Sequence, residues 1–487
     1  MKTKFNVHKT EFNVHKTKLN VHKTNISYDF TIHSLGECTI PSPVTVSYFV
    51  PETRKLLFNA YLDEYDSLKS PEGLPLSFEM AGPRKKIYFD PSKTKAAIVT
   101  CGGLCPGIND VIRSLTMELY YRYGVQNVVG IKYGFQGLIH KYGHPTIQLT
   151  PDVVKDINNL GGSILSSSRG RQDVNEMVDA LKRMNIDLLF TIGGDGTIRG
   201  TDGITEEISK RGLNIGVIGI PKTIDNDLNL IQQSFGFDTA VSESVKAIQC
   251  AHVEAKGAPN GIGLVKIMGR EAGHIAAGAA LAQNDVNFVL IPEVPFDLEG
   301  EKGLLRAIEK QLEESAHCVI LVAEGAGQEL MRGEEGKIET DDFGSLSQGA
   351  TCTYPAVCRY PANRPKIETD ASGNPRLFDI GAFLKRAIQD YFAKSGKEVN
   401  LKYIDPSYMI RSVPSNASDS RYCGALGQYA VHAGMAGKTG MIVGLVKNEY
   451  VHIPLQMIGS GTQLDPHGNI WMRVLEATGQ PPSLKND

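Results

Sequence analysis

The sequence predicts an α/β protein of two lobes with parallel-rich sheets, preceded by an N-terminal extension. Three observations carry this. The chain of 487 residues exceeds the roughly 250–300 at which a single hydrophobic core stops growing. From Lys95 onward, short β-branched runs alternate with amphipathic stretches, the pattern of parallel βαβ units. Glycine, 50 of the 487 residues, stands at about one in ten against roughly 7% in ordinary usage, and it gathers directly after those runs.

Along the chain, the first 24 residues repeat a seven-residue unit ending at His8, His15 and His22. Its apolar positions, Phe5 and Val7, then Phe12 and Val14, fall two and five apart, where a helical seam needs three and four. A coiled coil is therefore rejected and a flexible, mildly basic tail expected. The three histidines lack the carboxylate or Cys partners of a metal tract. Residues 25–93 read as an irregular, Pro-containing extension. Strands follow at Ala96–Thr100, Val128–Lys132, Asp187–Ile192, Ile215–Ile220, Ile262–Ile267, Phe288–Ile291 and Val319–Val322. The stretch Asp173–Met184 is a helix, with Val174, Met177, Val178 and Leu181 on one face. Residues 327–374, rich in Gly, Glu, Thr, Ser and Pro, read as an insertion. A helix from Phe378 to Tyr391, a strand near Tyr403, a helix Ser420–Met435 and a hairpin through Met441–Leu455 complete the order. The expected division is 1–93 as extension, 94–238 as a nucleotide-binding lobe, 239–410 as a second lobe, and 411–487 as a segment returning to the first.

Composition excludes several classes. A formal net charge of -3 leaves no basic footprint for nucleic acid or an anionic membrane, so an anionic ligand must be caught locally. No apolar run reaches the ~18 residues of a spanning helix. The eight cysteines, Cys38, Cys101, Cys105, Cys250, Cys318, Cys352, Cys358 and Cys423, contain no CxxC pair, so a zinc ribbon is not indicated and a reduced, cytoplasmic chain is expected.

Three strand-end loops carry the chemistry. In the first, Cys101-Gly102-Gly103 leads through Pro106-Gly107 into an amphipathic helix. Such a turn lets backbone N–H groups approach a phosphate at the positive end of a helix, although it is neither Gly-x-Gly-x-x-Gly nor a Walker loop. In the second, Gly193-Gly194-Asp195-Gly196-Thr197, a carboxylate between glycines is poised to hold Mg²⁺ beside a polyphosphate; helix capping by Asp195 is the structural alternative. In the third, Pro221-Lys222-Thr223-Ile224-Asp225-Asn226-Asp227, two carboxylates stand two residues apart beside a lysine. One can take a proton from a substrate hydroxyl while the other orients metal or base, and Lys222 can meet phosphate as a point charge. His274 reads as a helix-start residue, with nothing nearby to orient it as an acid or base.

Together with Ser168-Arg169-Gly170, Met268-Gly269-Arg270, Ala323-Glu324-Gly325 and Tyr403-Ile-Asp-Pro-Ser-Tyr408-Met-Ile-Arg411, these loops resemble the ATP- and pyrophosphate-dependent 6-phosphofructokinase family over about residues 94–440. The Tyr403–Arg411 stretch and Pro-Lys-Thr-Ile-Asp-Asn-Asp look most like the trypanosomatid-type ATP enzymes, which belong to the lineage otherwise populated by pyrophosphate users. The resemblance implies the phosphofructokinase fold of two Rossmann-like lobes and phosphoryl transfer from ATP to fructose 6-phosphate in glycolysis. By the same resemblance, Gly102, Arg169, Gly170, Gly194, Asp195, Gly196 and Thr197 contact the nucleotide phosphates, with Asp195 on Mg²⁺. Asp225 is the base for the 1-hydroxyl, with Thr223 and Asp227 beside it and Arg270 bearing on the transferring group. The sugar phosphate is expected at Thr223, Ile224, Asp225, Met268, Gly269, Arg270, Glu324, Tyr408, Met409, Ile410 and Arg411.

The donor turns on two positions. A small Gly196 leaves room for the α-phosphate of ATP, where the pyrophosphate enzymes of the family usually carry Asp. Lys222 points the other way, but the trypanosomatid-type ATP enzymes share the Gly-plus-Lys combination, so ATP is expected and pyrophosphate is the alternative. A lipid- or NAD-kinase relative is disfavoured by the Asp-Asn-Asp and Met-Gly-Arg motifs, and a non-catalytic regulatory paralogue by the retention of Asp195, Asp225 and Arg270. The family also implies a homotetramer. The arginine that bacterial relatives supply across a subunit interface falls at Gly261 here, leaving Arg421 or a residue of the insertion as substitutes, and allosteric control open.

Overall fold

A computed structural model describes residues 28–45, 48–61, 73–331, 377–459 and 461–486. The N-terminal repeat with its histidines, most of the insertion, and Cys352 and Cys358 lie outside them. The six described cysteines are free thiols.

The first sheet has nine strands, in the spatial order Lys55–Leu57, Ser77–Met80, Glu449–Pro454, Met441–Val446, Gly216–Pro221, Leu188–Gly193, Lys95–Thr100, Asn127–Ile131 and Thr146–Gln148. Its five central strands are parallel, and the strands beyond them on each side are antiparallel. The central strands Leu188–Gly193 and Gly216–Pro221 are buried at every position, as expected for parallel strands covered by helices on both faces. Helices Ile108–Met117 and Ala417–Met435 cover one face, and Val174–Arg183 and Asp195–Lys210 the other. Asp173 caps the Val174–Arg183 helix through the Glu176 amide. The C-terminal hairpin turns through Lys447 and Asn448, both at positive φ, as a two-residue turn matched to strand twist requires.

The second sheet is wholly parallel, in the order Phe288–Leu290, His317–Ala323, Gly261–Ile267, Asn400–Ile404. Helices Phe237–Lys256 and His274–Ala282 pack on one face, Leu304–Ser315 and Ile380–Lys394 on the other.

Two expectations are corrected. The extension is not merely irregular: its Lys55–Leu57 and Ser77–Met80 strands extend the first sheet, and Phe78 and Met80 fill a core with Ile442, Val451 and Ile453. Nor does the C-terminal segment simply return to the first lobe. Helix Ala417–Met435 and the hairpin do, but helix Asn469–Thr478 crosses to the second, where Trp471 and Val474 are buried against the His274–Ala282 helix region. Leu484 then enters the core on the opposite face of that sheet.

The lobes are joined by a buried carboxylate. Asp419, in the first turn of Ala417–Met435, is fully buried. It accepts hydrogen bonds from the Gly236 amide at 2.9 Å, the Thr239 amide at 2.7 Å and the Thr239 hydroxyl at 2.6 Å. It thereby caps the N-terminus of Phe237–Lys256, whose own N-cap, Gly236, offers no side chain. Asp419→Ala strands those donors without solvent, so a loss of about 3 kcal/mol or more is expected. A shifted denaturant midpoint is the readout; an unchanged midpoint would remove the cap from this account.

Candidate active site

The carboxyl ends of both sheets open onto one cleft of about 1370 Å³, the place where parallel α/β sheets bind ligands. From the first sheet, the cleft is lined by Gly102, Gly194, Asp195, Gly196, Thr197, Lys222, Thr223, Ile224, Asp225 and Asp227. Arg169 and Gly170 join them, and the second lobe contributes Met268, Arg270, Glu324, Tyr408 and Arg411. Seventeen of the expected residues thus meet at one place. Gly269, Met409 and Ile410 do not line it.

The physical reasons for those three differ. Gly269 has φ +132, and a Cβ there would stand 2.7 Å from the Ala272 carbonyl, so the turn itself demands glycine rather than a ligand's approach. Ile410 is 1% exposed and packs in the second lobe's core. Met409, 73% exposed, lies on the short Ser407–Arg411 helix beside Tyr408, whose ring lies 4.6 Å from the Arg411 guanidinium carbon. Gly193 serves the strand-to-helix turn in the same way as Gly269, since a Cβ there would collide with the Thr197 side chain. Gly196 is the contrast, because a Cβ added there meets nothing within 4 Å.

In the third loop, the Thr223 hydroxyl donates to Asp227 at 2.8 Å and accepts from the Asp225 amide at 3.2 Å. Asn226 takes φ 54, a conformation asparagine tolerates, and its side-chain oxygen accepts from the Ser234 amide at 2.8 Å. The loop is therefore fixed at three points around Asp225. Asp225 Oδ1 is shut off from solvent and has no hydrogen-bond partner. Burial, then the neighbouring charges of Asp227 and Glu324, push its carboxyl up to about 7, against the opposing pull of Lys222 and Arg270. Those groups come from both lobes, so Asp225 stands where the lobes meet. Ile224 beside it packs against both cores.

Lys222 departs from its expected role. It is 6% exposed, its ammonium donates to the Gly103 carbonyl at 2.8 Å, and burial lowers its pKa below the usual lysine value. It braces the first loop against the third rather than standing open as a point charge. Gly102, φ +87, is the turn over which its ammonium lies.

Asp195 opens the helix Asp195–Lys210, makes no side-chain cap and pairs with Arg199 one turn on. Its side chain remains 31% exposed on the cleft wall. Among the described residues no group of three or more His, Cys, Asp or Glu forms a metal cage. The arrangement fits Mg²⁺ all the same, since that ion binds through one or two carboxylates plus substrate phosphates.

Sequence reasoning missed an apolar arm of the cleft, lined by Phe135, Val174, Met177, Gly200 and Gly203. The signal was there: Gly196, Gly200 and Gly203 recur at i, i+4 and i+7 on one helix, where glycine costs about 1 kcal/mol each relative to Ala. Phe135 packs directly on this face, since a Cβ at Gly200 would stand 2.7 Å from its ring, and Val174 lies over Gly203.

Gly261, where the bacterial cross-subunit arginine falls, lies against the Ala255 carbonyl so closely that no side chain fits. Arg421 does not line the cleft. His274 begins its helix and faces the Thr462 carbonyl at 3.1 Å.

A family model described as phosphofructokinase matches residues 95–434. The chain belongs to the phosphofructokinase family. Among curated phosphofructokinases it is 50% identical over 472 residues to the "ATP-dependent 6-phosphofructokinase" of Borreliella burgdorferi, covering 94% of this chain and 98% of that protein. To the enzyme of the same name from Trypanosoma cruzi it is 43% identical over 408 residues, covering 83% and 77%. The identity to the trypanosomatid enzyme is thus lower than that to the Borreliella burgdorferi protein. A pyrophosphate-dependent phosphofructokinase from Marinobacter aquaeolei superposes with a TM-score of 0.59 at 18% identity, covering 79% of this chain and 91% of that one. That match supports the phosphofructokinase fold.

Proposed function

We propose that the chain is an ATP-dependent 6-phosphofructokinase, which transfers the γ-phosphoryl group of ATP to the 1-hydroxyl of fructose 6-phosphate, giving fructose 1,6-bisphosphate and ADP in glycolysis. The observation that carries the chemistry is Asp225: a buried carboxylate oxygen without a partner at the junction of two lobes, where burial and the charges of Asp227 and Glu324 push its carboxyl up to about 7. Such a group is matched to taking a hydroxyl proton at physiological pH.

ATP as donor is supported by the names of the relatives, by the open space at Gly196, and by the apolar arm at Phe135, Val174 and Met177. A purine base has use for that arm; pyrophosphate has none. The first and second loops, with Arg169 and Gly170, receive the polyphosphate through backbone N–H groups and the positive end of the Asp195–Lys210 helix. Asp195 holds Mg²⁺ in this reading, and the ion supplies neutralisation of the polyphosphate charge. Asp225 removes the 1-hydroxyl proton as that oxygen forms its bond to the γ-phosphorus and the bond to the β-phosphate oxygen breaks. Thr223 and Asp227 fix the loop. Arg169 and Arg270 face the charge on the transferring group, so catalysis is mostly positioning and charge neutralisation. Arg411 meets the 6-phosphate, with Tyr408 stacked on it, and Glu324 accepts from sugar hydroxyls.

Cytoplasmic location and a homotetramer belong to the same proposal. No helix among the described residues is long and apolar enough to cross a membrane.

The test is ³¹P NMR of the purified protein with fructose 6-phosphate, ATP and Mg²⁺. A new phosphate ester at C1, formed in step with ADP, is expected. ADP formed with free phosphate and no bisphosphate would contradict the reading.

A further inference from the structure

We propose that Lys266 is a positioning residue for the sugar-phosphate half of the cleft, acting through Asp405 on the helix that carries Tyr408 and Arg411. This rests on the functional reading above. Lys266 lies near the end of the Gly261–Ile267 strand, two residues before the Met268-Gly269-Arg270 turn, and does not line the cleft.

Its side chain is 13% exposed, and its ammonium lies 2.9 Å from Asp405 and 3.0 Å from Asp379. Each carboxylate is also a fixed structural element. Asp405 accepts from the Ser407 hydroxyl at 2.6 Å and the Ser407 amide at 3.1 Å, at the start of helix Ser407–Arg411. Asp379 caps helix Ile380–Lys394 through the Gly381 and Ala382 amides, at 3.0 and 3.2 Å, and accepts from the Tyr403 hydroxyl at 3.4 Å. One cation therefore ties a central strand of the second sheet to the start of both helices.

Burial opposes the charge on Lys266, but Asp405 and Asp379 outweigh it and raise its pKa above the ordinary lysine value. At physiological pH the ammonium is thus a fixed charge. Its field, with those of Arg270 and Arg411, also opposes the burial that raises the Glu324 carboxyl. Without Lys266, the two carboxylates repel each other, the turn before Tyr408 loses its tether, and Glu324 becomes harder to ionise. All three consequences fall on the sugar-phosphate side. The nucleotide side, built on the other sheet, touches none of them.

The test measures equilibrium binding of fructose 6-phosphate and of MgATP by calorimetry, alongside steady-state kinetics, for wild type, Lys266→Met, Lys266→Arg, Asp405→Asn and the Lys266→Met/Asp405→Asn pair. In Lys266→Met, Kd and KM for fructose 6-phosphate are expected to rise on the order of tenfold, while those for MgATP stay within about twofold. Lys266→Arg is expected to recover most of the loss, and the double variant to be no weaker than Lys266→Met, because both changes break the same link. Should Lys266→Met not fold, Asp405→Asn carries the same test with the same direction. An unchanged affinity for fructose 6-phosphate, or equal losses for both ligands, would overturn the assignment. A wild-type protein that binds MgATP but not fructose 6-phosphate would overturn the functional reading itself.

Discussion

Asp225→Asn lowers kcat by about 10³-fold or more while KM for both substrates stays within about threefold, as expected for a group that acts on the transferring proton. The substitution keeps the size of the side chain and removes only its capacity to accept a proton, and Asp225→Ser is expected to behave alike. Steady-state kinetics would check it; a near-normal kcat would remove Asp225 from the role of base. The pH profile gives a second handle. With the carboxyl pushed up to about 7 by burial and by Asp227 and Glu324, kcat/KM falls tenfold per pH unit below neutrality, because the protonated form cannot accept the 1-hydroxyl proton. Stability moves in the opposite sense. Between roughly pH 4, where an unfolded Asp titrates, and about pH 7, the folded chain holds a proton that the unfolded chain has released. Stability from this group is therefore lost as pH rises through that window. Asp225→Asn should melt above wild type at pH 8 and gain nothing at pH 4. An inactive variant that is also more stable at alkaline pH is the signature of a carboxylate kept in place for chemistry rather than for folding.

Gly196→Asp is expected to abolish turnover with ATP, a loss of about 10³-fold or more in kcat/KM, without loss of the fold. A Cβ at 196 meets nothing within 4 Å, and a carboxylate in the first turn of a helix is favoured by the helix dipole. The melting temperature should hold or rise while the added charge and bulk stand where the nucleotide phosphates must pass. Rates with ATP, read beside a thermal melt, separate the two effects. Retained ATP turnover would show that position 196 does not face the donor.

The second and third strand-end loops were legible because each joins a buried run, a glycine and a charge; the first, Cys101-Gly102-Gly103, carries no charge and gains meaning only beside them. Asp195 and Asp225 stand out in their loops by residue type, whereas Arg270 is placed beside them only by the family resemblance. What could not be read was the direction of individual side chains. Lys222 looks in the sequence like a free cation, yet it lies under the first loop on the Gly103 carbonyl. Met409 and Ile410 stand in a motif between two cleft residues, but on a short helix adjacent positions face different ways, one to solvent and one to the core. Gly269 is expected at the sugar phosphate, yet the backbone geometry of its turn requires it, as the Thr197 side chain requires glycine at 193. The crossing of Asn469–Thr478 to the second lobe left no mark in its own pattern, since an amphipathic helix does not state which core it covers. The close seat of Phe135 and Val174 on the Asp195–Lys210 helix did leave one, in the helical spacing of Gly200 and Gly203.

The central claim, a phosphofructokinase that draws on ATP, is tested most directly by initial rates of the purified protein with fructose 6-phosphate and Mg²⁺, supplied with either ATP or pyrophosphate. The account predicts turnover with ATP and none above background with pyrophosphate. Turnover with pyrophosphate alone would contradict it.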